Sequence, residues 1–150
     1  MKNQLLIAAL LLISTQALAE PTYYANINLA AHHWNRADTS RLNLNEFNPG
    51  IGIERENGNF RQMAGIYKNS IRKPSIYALA AYIPVHAGPL NIGIAGGLVT
   101  GYKKALVPAA GLAIILTEQG QRLGLNLIAV PSVKKLGICG FLGIQARIKL

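Results

Sequence analysis

The residues of this 150-residue chain best suited to act together chemically are a histidine, His32 or His33, and Ser70. The two histidines close a first strand-like segment, and Ser70 follows the end of a third. Chain direction reverses from one strand to the next, so both positions fall on the same rim. A serine hydroxyl becomes a nucleophile, or is held as a polarising donor, when a base lies within about 2.6–3.2 Å. A rim histidine can equally hydrogen-bond a loop carbonyl. His86 falls in a turn at the other end, where a structural role is expected. Cys139, the single cysteine, cannot form an internal disulfide. With no His or acidic residue near it in sequence, it reads as a small buried apolar residue. Zinc spacing, a phosphate loop and a dinucleotide fingerprint are all missing, so no metal or cofactor is expected.

The elements that must hold these residues follow from how apolar character is distributed. Lys2, an apolar run from Leu5 to Ile13 and the small-residue site Ala17-Leu18-Ala19 have the order of a secretory signal peptide. That run is too short to span a membrane as a helix, which needs about 20 apolar residues. Residues 1–19 are therefore expected to be removed, leaving residues 20–150 as one domain. The chain is 51% hydrophobic and 14% charged, yet no later stretch could form a spanning helix. Apolar character spread over short segments separated by turn residues fits a β-barrel, which satisfies its backbone by closing on itself. A water-soluble β-sandwich is the competing arrangement.

Strands are expected near 23–34, 48–56, 60–69, 75–84, 90–101, 106–116, 121–131 and 136–149, giving an all-β, eight-stranded antiparallel up-and-down outer-membrane barrel. Glu56-Asn57-Gly58-Asn59, Val85 to Pro89 and Thr117 to Gly120 carry the Gly and Asn residues that tight turns use. The 15 glycines scattered through the apolar segments argue against helix, since each costs about 1 kcal/mol there relative to alanine.

The formal charge of +9 is unevenly placed. Arg36, Arg41, Lys68, Arg72, Lys73, Lys103, Lys104, Lys134 and Lys135 fall in the outer loops, whereas the inner turns hold Glu56, Glu118 and His86. Such a collar suits an anionic surface, and the phosphates of lipopolysaccharide are the one at hand outside that membrane; a merely solvated rim is the alternative. Nucleic acid fits poorly, because no aromatic platform accompanies the basic residues. Trp34, Tyr67, Tyr77 and Tyr102 read as membrane-interface aromatics. Residues 76–83, 90–99 and much of 106–116 are apolar or tiny at both alternating positions. They predict an apolar lumen in which Gly93, Ala95 and Gly97 either leave room for an acyl chain or let strands pack closely.

Several stretches together resemble the PagP-type lipid A palmitoyltransferases. They are Arg41, Pro49-Gly50-Ile51-Gly52-Ile53-Glu54-Arg55, Gly58-Asn59-Phe60 and Tyr67-Lys68-Asn69-Ser70. That family consists of eight-stranded outer-membrane barrels that move an acyl chain from a phospholipid to lipid A. The resemblance runs from about His32 to Pro131 and is densest at 41–70. It implies His32 or His33 as the base, Ser70 as its hydroxyl partner, and Asn69 standing where the family has aspartate. An amide can orient neighbours but cannot stabilise an imidazolium by charge. The resemblance also implies a lateral lipid gate at Pro108 and Pro131, and proline's missing N–H supplies the physical reason for a gap there. The family's amphipathic helix before the first strand has no counterpart, and the chain ends on Leu150 rather than an aromatic residue. The expected partners are lipid A or lipopolysaccharide and phospholipid, engaged by a monomer in the outer membrane. A non-catalytic barrel that binds lipid or serves a structural role is the alternative.

Overall fold

The computed structural model describes residues 20–102, 106–117, 122–133 and 139–150. Eight strands form one closed antiparallel sheet in sequence order: β1 (Thr22–His33), β2 (Phe47–Asn57), β3 (Phe60–Lys68), β4 (Pro74–Ala87), β5 (Leu90–Val99), β6 (Val107–Leu116), β7 (Leu123–Val130) and β8 (Phe141–Lys149). Closure comes from β1 pairing with β8 from Tyr24↔Lys149 to His33↔Phe141, which joins the first strand to the last. All eight expected strands are present with small shifts at their ends. The expected signal peptide, Lys103, Lys104, Glu118, Lys134 and Lys135 lie outside the described residues.

Short turns gather at one end of the barrel and longer loops at the other. Gly58 and Gly88 take φ of +56° and +59° in the two tight turns, Gly58-Asn59 and Gly88-Pro89, conformations an L side chain resists. β4 runs three residues further than expected, past a register irregularity between Tyr82 and Val85. Pro84 sits in that irregularity, where its missing N–H breaks no ladder bond.

One six-residue helix, α1 (Arg36–Arg41), corrects the expectation of no helix. Asn35 caps it by accepting from the Ala37 and Asp38 N–H groups, and Asp38 lies in its first turn. A single capped turn and a half is too short to show helical periodicity in a sequence.

The barrel is inverted relative to a water-soluble domain. Ile51, Ile66, Ile76, Ile94 and Leu123 face outward, Ile94 at 67% exposure, while Asn26, Glu54, Asn126 and Arg147 are enclosed. The enclosed charges correct the expectation of a uniformly apolar lumen. At the turn end, Arg147 Nη2 lies 3.0 Å from Glu54 Oε1 and 2.7 Å from Glu56 Oε2. Arg61 Nε lies 3.1 Å from Glu56 Oε2. Asn126 donates to Glu54 Oε2 at 2.8 Å, and the Arg147 guanidinium stacks 3.6 Å from the Tyr24 ring centroid. Two carboxylates and two guanidiniums from β2, β3 and β8 thus neutralise one another and close the floor.

Gly93 and Gly97 take the second of their two expected roles, letting strands pack closely. A Cβ at either would stand 1.9 or 2.1 Å from a β4 carbonyl oxygen, so both glycines admit the neighbouring backbone.

Removing one partner from an enclosed ion pair leaves an uncompensated charge. Arg147→Ala is therefore expected to lower folding stability by about 3–5 kcal/mol in reversible denaturant unfolding. The Glu54→Gln/Arg147→Met double variant, which keeps the Glu56–Arg61 pair, is expected to recover most of that loss. A double variant as unstable as the single one contradicts the pairing.

Candidate functional site

A bulge in β1 decides which histidine can act inside the barrel. Tyr24, Asn26 and Asn28 point inward at even positions; the register then shifts between Asn28 and Ala30, and Ala31 and His33 point inward instead. An unbroken strand would have turned His32 inward. His33 is 3% exposed and its ring centroid lies 5.8 Å from that of Phe141. His32 faces outward and meets Trp34 edge-on at 6.4 Å.

Glu46, just ahead of β2, reaches both histidines and had no part in the sequence-based expectations. Its Oε1 accepts the His33 backbone N–H at 2.9 Å and Arg36 Nη1 at 2.6 Å. The same oxygen stands 3.6 Å from Nδ1 of each histidine. The Arg36 hydrogen bond, then the His33 N–H, hold the Glu46 carboxyl down to about 2. It therefore carries its charge at any ordinary pH.

Ser70, 8% exposed, stands on the wall of an apolar cavity in the loop half of the lumen. Tyr67, Tyr77, Leu79, Ala95, Ile128 and Phe141 form much of its lining. Tyr67, Tyr77 and Tyr102 are thus cavity residues, correcting their expected place in the membrane interface; Tyr67 and Tyr102 share a hydroxyl contact of 3.3 Å. Tyr77 fits inward because β2 and β3 offer Gly52 and Gly65 beneath it; a Cβ on either would lie within 2.7 Å of its hydroxyl. Trp34 remains half-exposed, its indole N–H donating to the Val130 carbonyl at 3.2 Å.

Asn69 is used up by its own loop. Its Oδ1 accepts from the Ile71 and Lys73 N–H groups at 3.0 and 2.9 Å, and its Nδ2 donates to Ser75 Oγ and the Gly101 carbonyl, both at 2.9 Å. No direct hydrogen bond joins Ser70 to His33 or Asn69; the loop brings Ser70 to the cavity and turns Asn69 away from that chemistry. His86 ties two turns together through Asn91 and Asn59, as a structural residue would. Burial pushes the Cys139 thiol up, away from a reactive thiolate.

The wall is incomplete between β6 and β7. β6 pairs with β5 along its whole length, Val107 to Leu116, but with β7 only from Leu112 to Leu116. Pro131 directly follows the last β7 residue, and Pro108 lies in the half of β6 that β7 leaves unpaired. The cavity reaches this breach, since Ala109, Ala110 and Gly111 all line it.

The basic collar divides into occupied and free charges. Arg36 is bound to Glu46, and Arg41 to Asp38 at 2.9 Å. Arg72 holds the Asn43 carbonyl and side-chain oxygens at 2.6 and 3.1 Å, leaving its charge without an acidic partner among the described residues. Lys68 and Lys73 make no ion pair among the described residues and flank the same loop as Ser70. Neither models of known protein families nor characterised protein sequences match this chain.

Two outcomes follow. Asn69→Asp removes the donor that satisfies Gly101 and sets a carboxylate against its carbonyl, so a stability loss of about 1–3 kcal/mol is expected in thermal unfolding, with no gain of activity. An unchanged midpoint contradicts the hydrogen-bonding described. Because the folded value of Glu46 lies below the ordinary 4.5, its contribution to stability is complete above that pH, declines as pH falls, and is gone below about 2. Carboxyl chemical shifts of Glu46 followed from pH 6 to 2 check this, and titration near 4.5 contradicts it.

Proposed function

We propose that this chain is an exported outer-membrane barrel that transfers a fatty acyl chain from a phospholipid to lipid A. The observation that carries the reading is the apolar cavity with Ser70 on its wall, lined also by Ala109, Ala110 and Gly111 of the β6 stretch that β7 leaves unpaired. An acyl chain lying in the membrane can enter such a cavity without its methylenes crossing water, while the apolar outer wall accommodates lipid. Lys68, Arg72 and Lys73, which have no acidic partner among the described residues, flank the loop that carries Ser70. They suit the phosphates of the acceptor, as charge-assisted contacts.

In the proposed reaction His33 accepts the proton of an acceptor hydroxyl while its oxygen attacks the donor ester carbonyl. The carbonyl-to-glycerol C–O bond breaks, the proton passes from His33 to the departing glycerol oxygen, and the new ester and a lysophospholipid remain. Ser70 polarises that carbonyl or attacks it first, in which case the same proton steps run twice through an acyl-serine. No cofactor is needed for this balance.

A non-catalytic lipid-binding barrel is the second reading, favoured by the missing His33–Ser70 hydrogen bond. Mass spectrometry of lipid A from cells expressing the chain separates the two. An added acyl mass is expected with the wild type and His32→Ala, and its loss with His33→Ala and Ser70→Ala. Unmodified lipid A from well-folded wild type leaves the second reading.

A further inference from the structure

We infer that Glu46 is the positioning carboxylate of His33, setting its tautomer and supporting its charge in the place expected of residue 69. Its bearing on catalysis rests on the acyltransferase reading, but the pairing itself does not.

His33 Nδ1 is enclosed and has no hydrogen-bond partner, and the polar atom beside it is Glu46 Oε1, 3.6 Å away. An enclosed imidazole nitrogen left unbonded is costly, and a shift of about half an ångström brings this pair into hydrogen-bond range. A carboxylate can only accept, so the arrangement selects the tautomer with hydrogen on Nδ1. Nε2 then keeps its lone pair, the requirement for a base. When Nε2 takes a proton, the imidazolium finds a fixed negative charge against its other nitrogen, and the carboxylate itself need not be protonated.

The groups facing His33 can be named from every side. Glu46 approaches from the segment ahead of β2 and Arg36 from α1; His32 precedes it on β1, and the Phe141 ring covers it from β8. Arg36 and Glu46 pull the histidine in opposite directions, since Arg36 draws on the carboxylate that His33 would use. The competing explanation is structural: Glu46 clamps α1 through Arg36 and does nothing to the imidazole. The two explanations differ in sign. For a clamp, Glu46→Gln and Arg36→Gln loosen the same contact and disturb His33 alike. For a positioning carboxylate, removing Glu46 lowers the imidazole's affinity for protons and removing Arg36 raises it.

The test is nitrogen NMR of the full-length mature chain, labelled at histidine, in detergent micelles across pH 4–9. In the wild type the hydrogen of neutral His33 is expected on Nδ1. Glu46→Gln should shift the His33 midpoint down by about one pH unit and Arg36→Gln should shift it up. Lipid A acylation by Glu46→Gln should fall about 10²–10⁴-fold in kcat with KM unchanged, and its acid limb should move to lower pH. An Nε2–H tautomer in the wild type, an unmoved midpoint in Glu46→Gln, or shifts of the same sign in both variants overturns the inference. If Glu46→Gln does not fold, the wild-type tautomer and the direction of the Arg36→Gln shift decide. Opposite shifts in a protein that leaves lipid A unmodified uphold the pairing and reject the acyltransferase reading alone.

Discussion

Hydrogen bonding of β1 to β8 is the constraint on which everything else in this molecule depends. Once the ladder closes from Tyr24↔Lys149 to His33↔Phe141, the first and last strands are joined and each strand side chain has only two destinations, inside or outside. Large aliphatic residues such as Ile51, Ile66 and Ile94 then face outward, while the interior holds both polar groups such as Glu54 and Arg147 and apolar ones such as Met63, Ile83 and Ile115. The closing strand β8 also carries Arg147 and Gln145, so the ring that seals the backbone delivers two of the polar groups that fill the lumen. Arg147 is held by Glu54 and Glu56 of β2, across the seam.

Closure encloses two kinds of lining. Near the tight turns, the charges of Glu54, Glu56, Arg61 and Arg147 cancel in a compact cluster, and apolar side chains such as Ile83 and Ile115 are buried there as well. Near the loops, tyrosines, alanines and aliphatic side chains line an apolar cavity that reaches the part of β6 left unpaired by β7. Under the proposed function, the ligand of this space is apolar along its length and leaves its polar head at the loop end, where His33 and Ser70 are.

How much of this the sequence disclosed depends on the distance over which each feature is encoded. Strand number, order and approximate limits are local properties, written in alternating segments and in turns such as Gly58-Asn59 and Gly88-Pro89, and they were legible. The ionic floor was not, because Arg147 lies far along the chain from Glu54 and Arg61 and each resembles an ordinary strand-end charge until closure brings them together. The choice between His32 and His33 was left open because a one-residue bulge near Asn28 reverses the facing of everything after it, and no residue there announces a bulge. Tyr77 looked like an interfacial aromatic for a similar reason: its inward place depends on Gly52 and Gly65, two strands' worth of partners it meets only in the sheet. Asn69 was noticed, but its partners were not legible, since its four hydrogen bonds lie within the 69–75 loop and at Gly101. Glu46 escaped notice because its neighbours His33 and Arg36 come from the far side of a loop.

The central claim, that an acyl chain occupies the loop half of the lumen, is open to direct labelling. A phospholipid with a photoreactive diazirine near the end of one acyl chain would be incorporated with the barrel in bilayers, irradiated, and the modified residues mapped by peptide mass spectrometry. Adducts concentrated on Tyr77, Leu79, Ala95 and Ile128 are the expected result. Adducts confined to outward residues such as Ile51, Ile66 and Ile94 would contradict it.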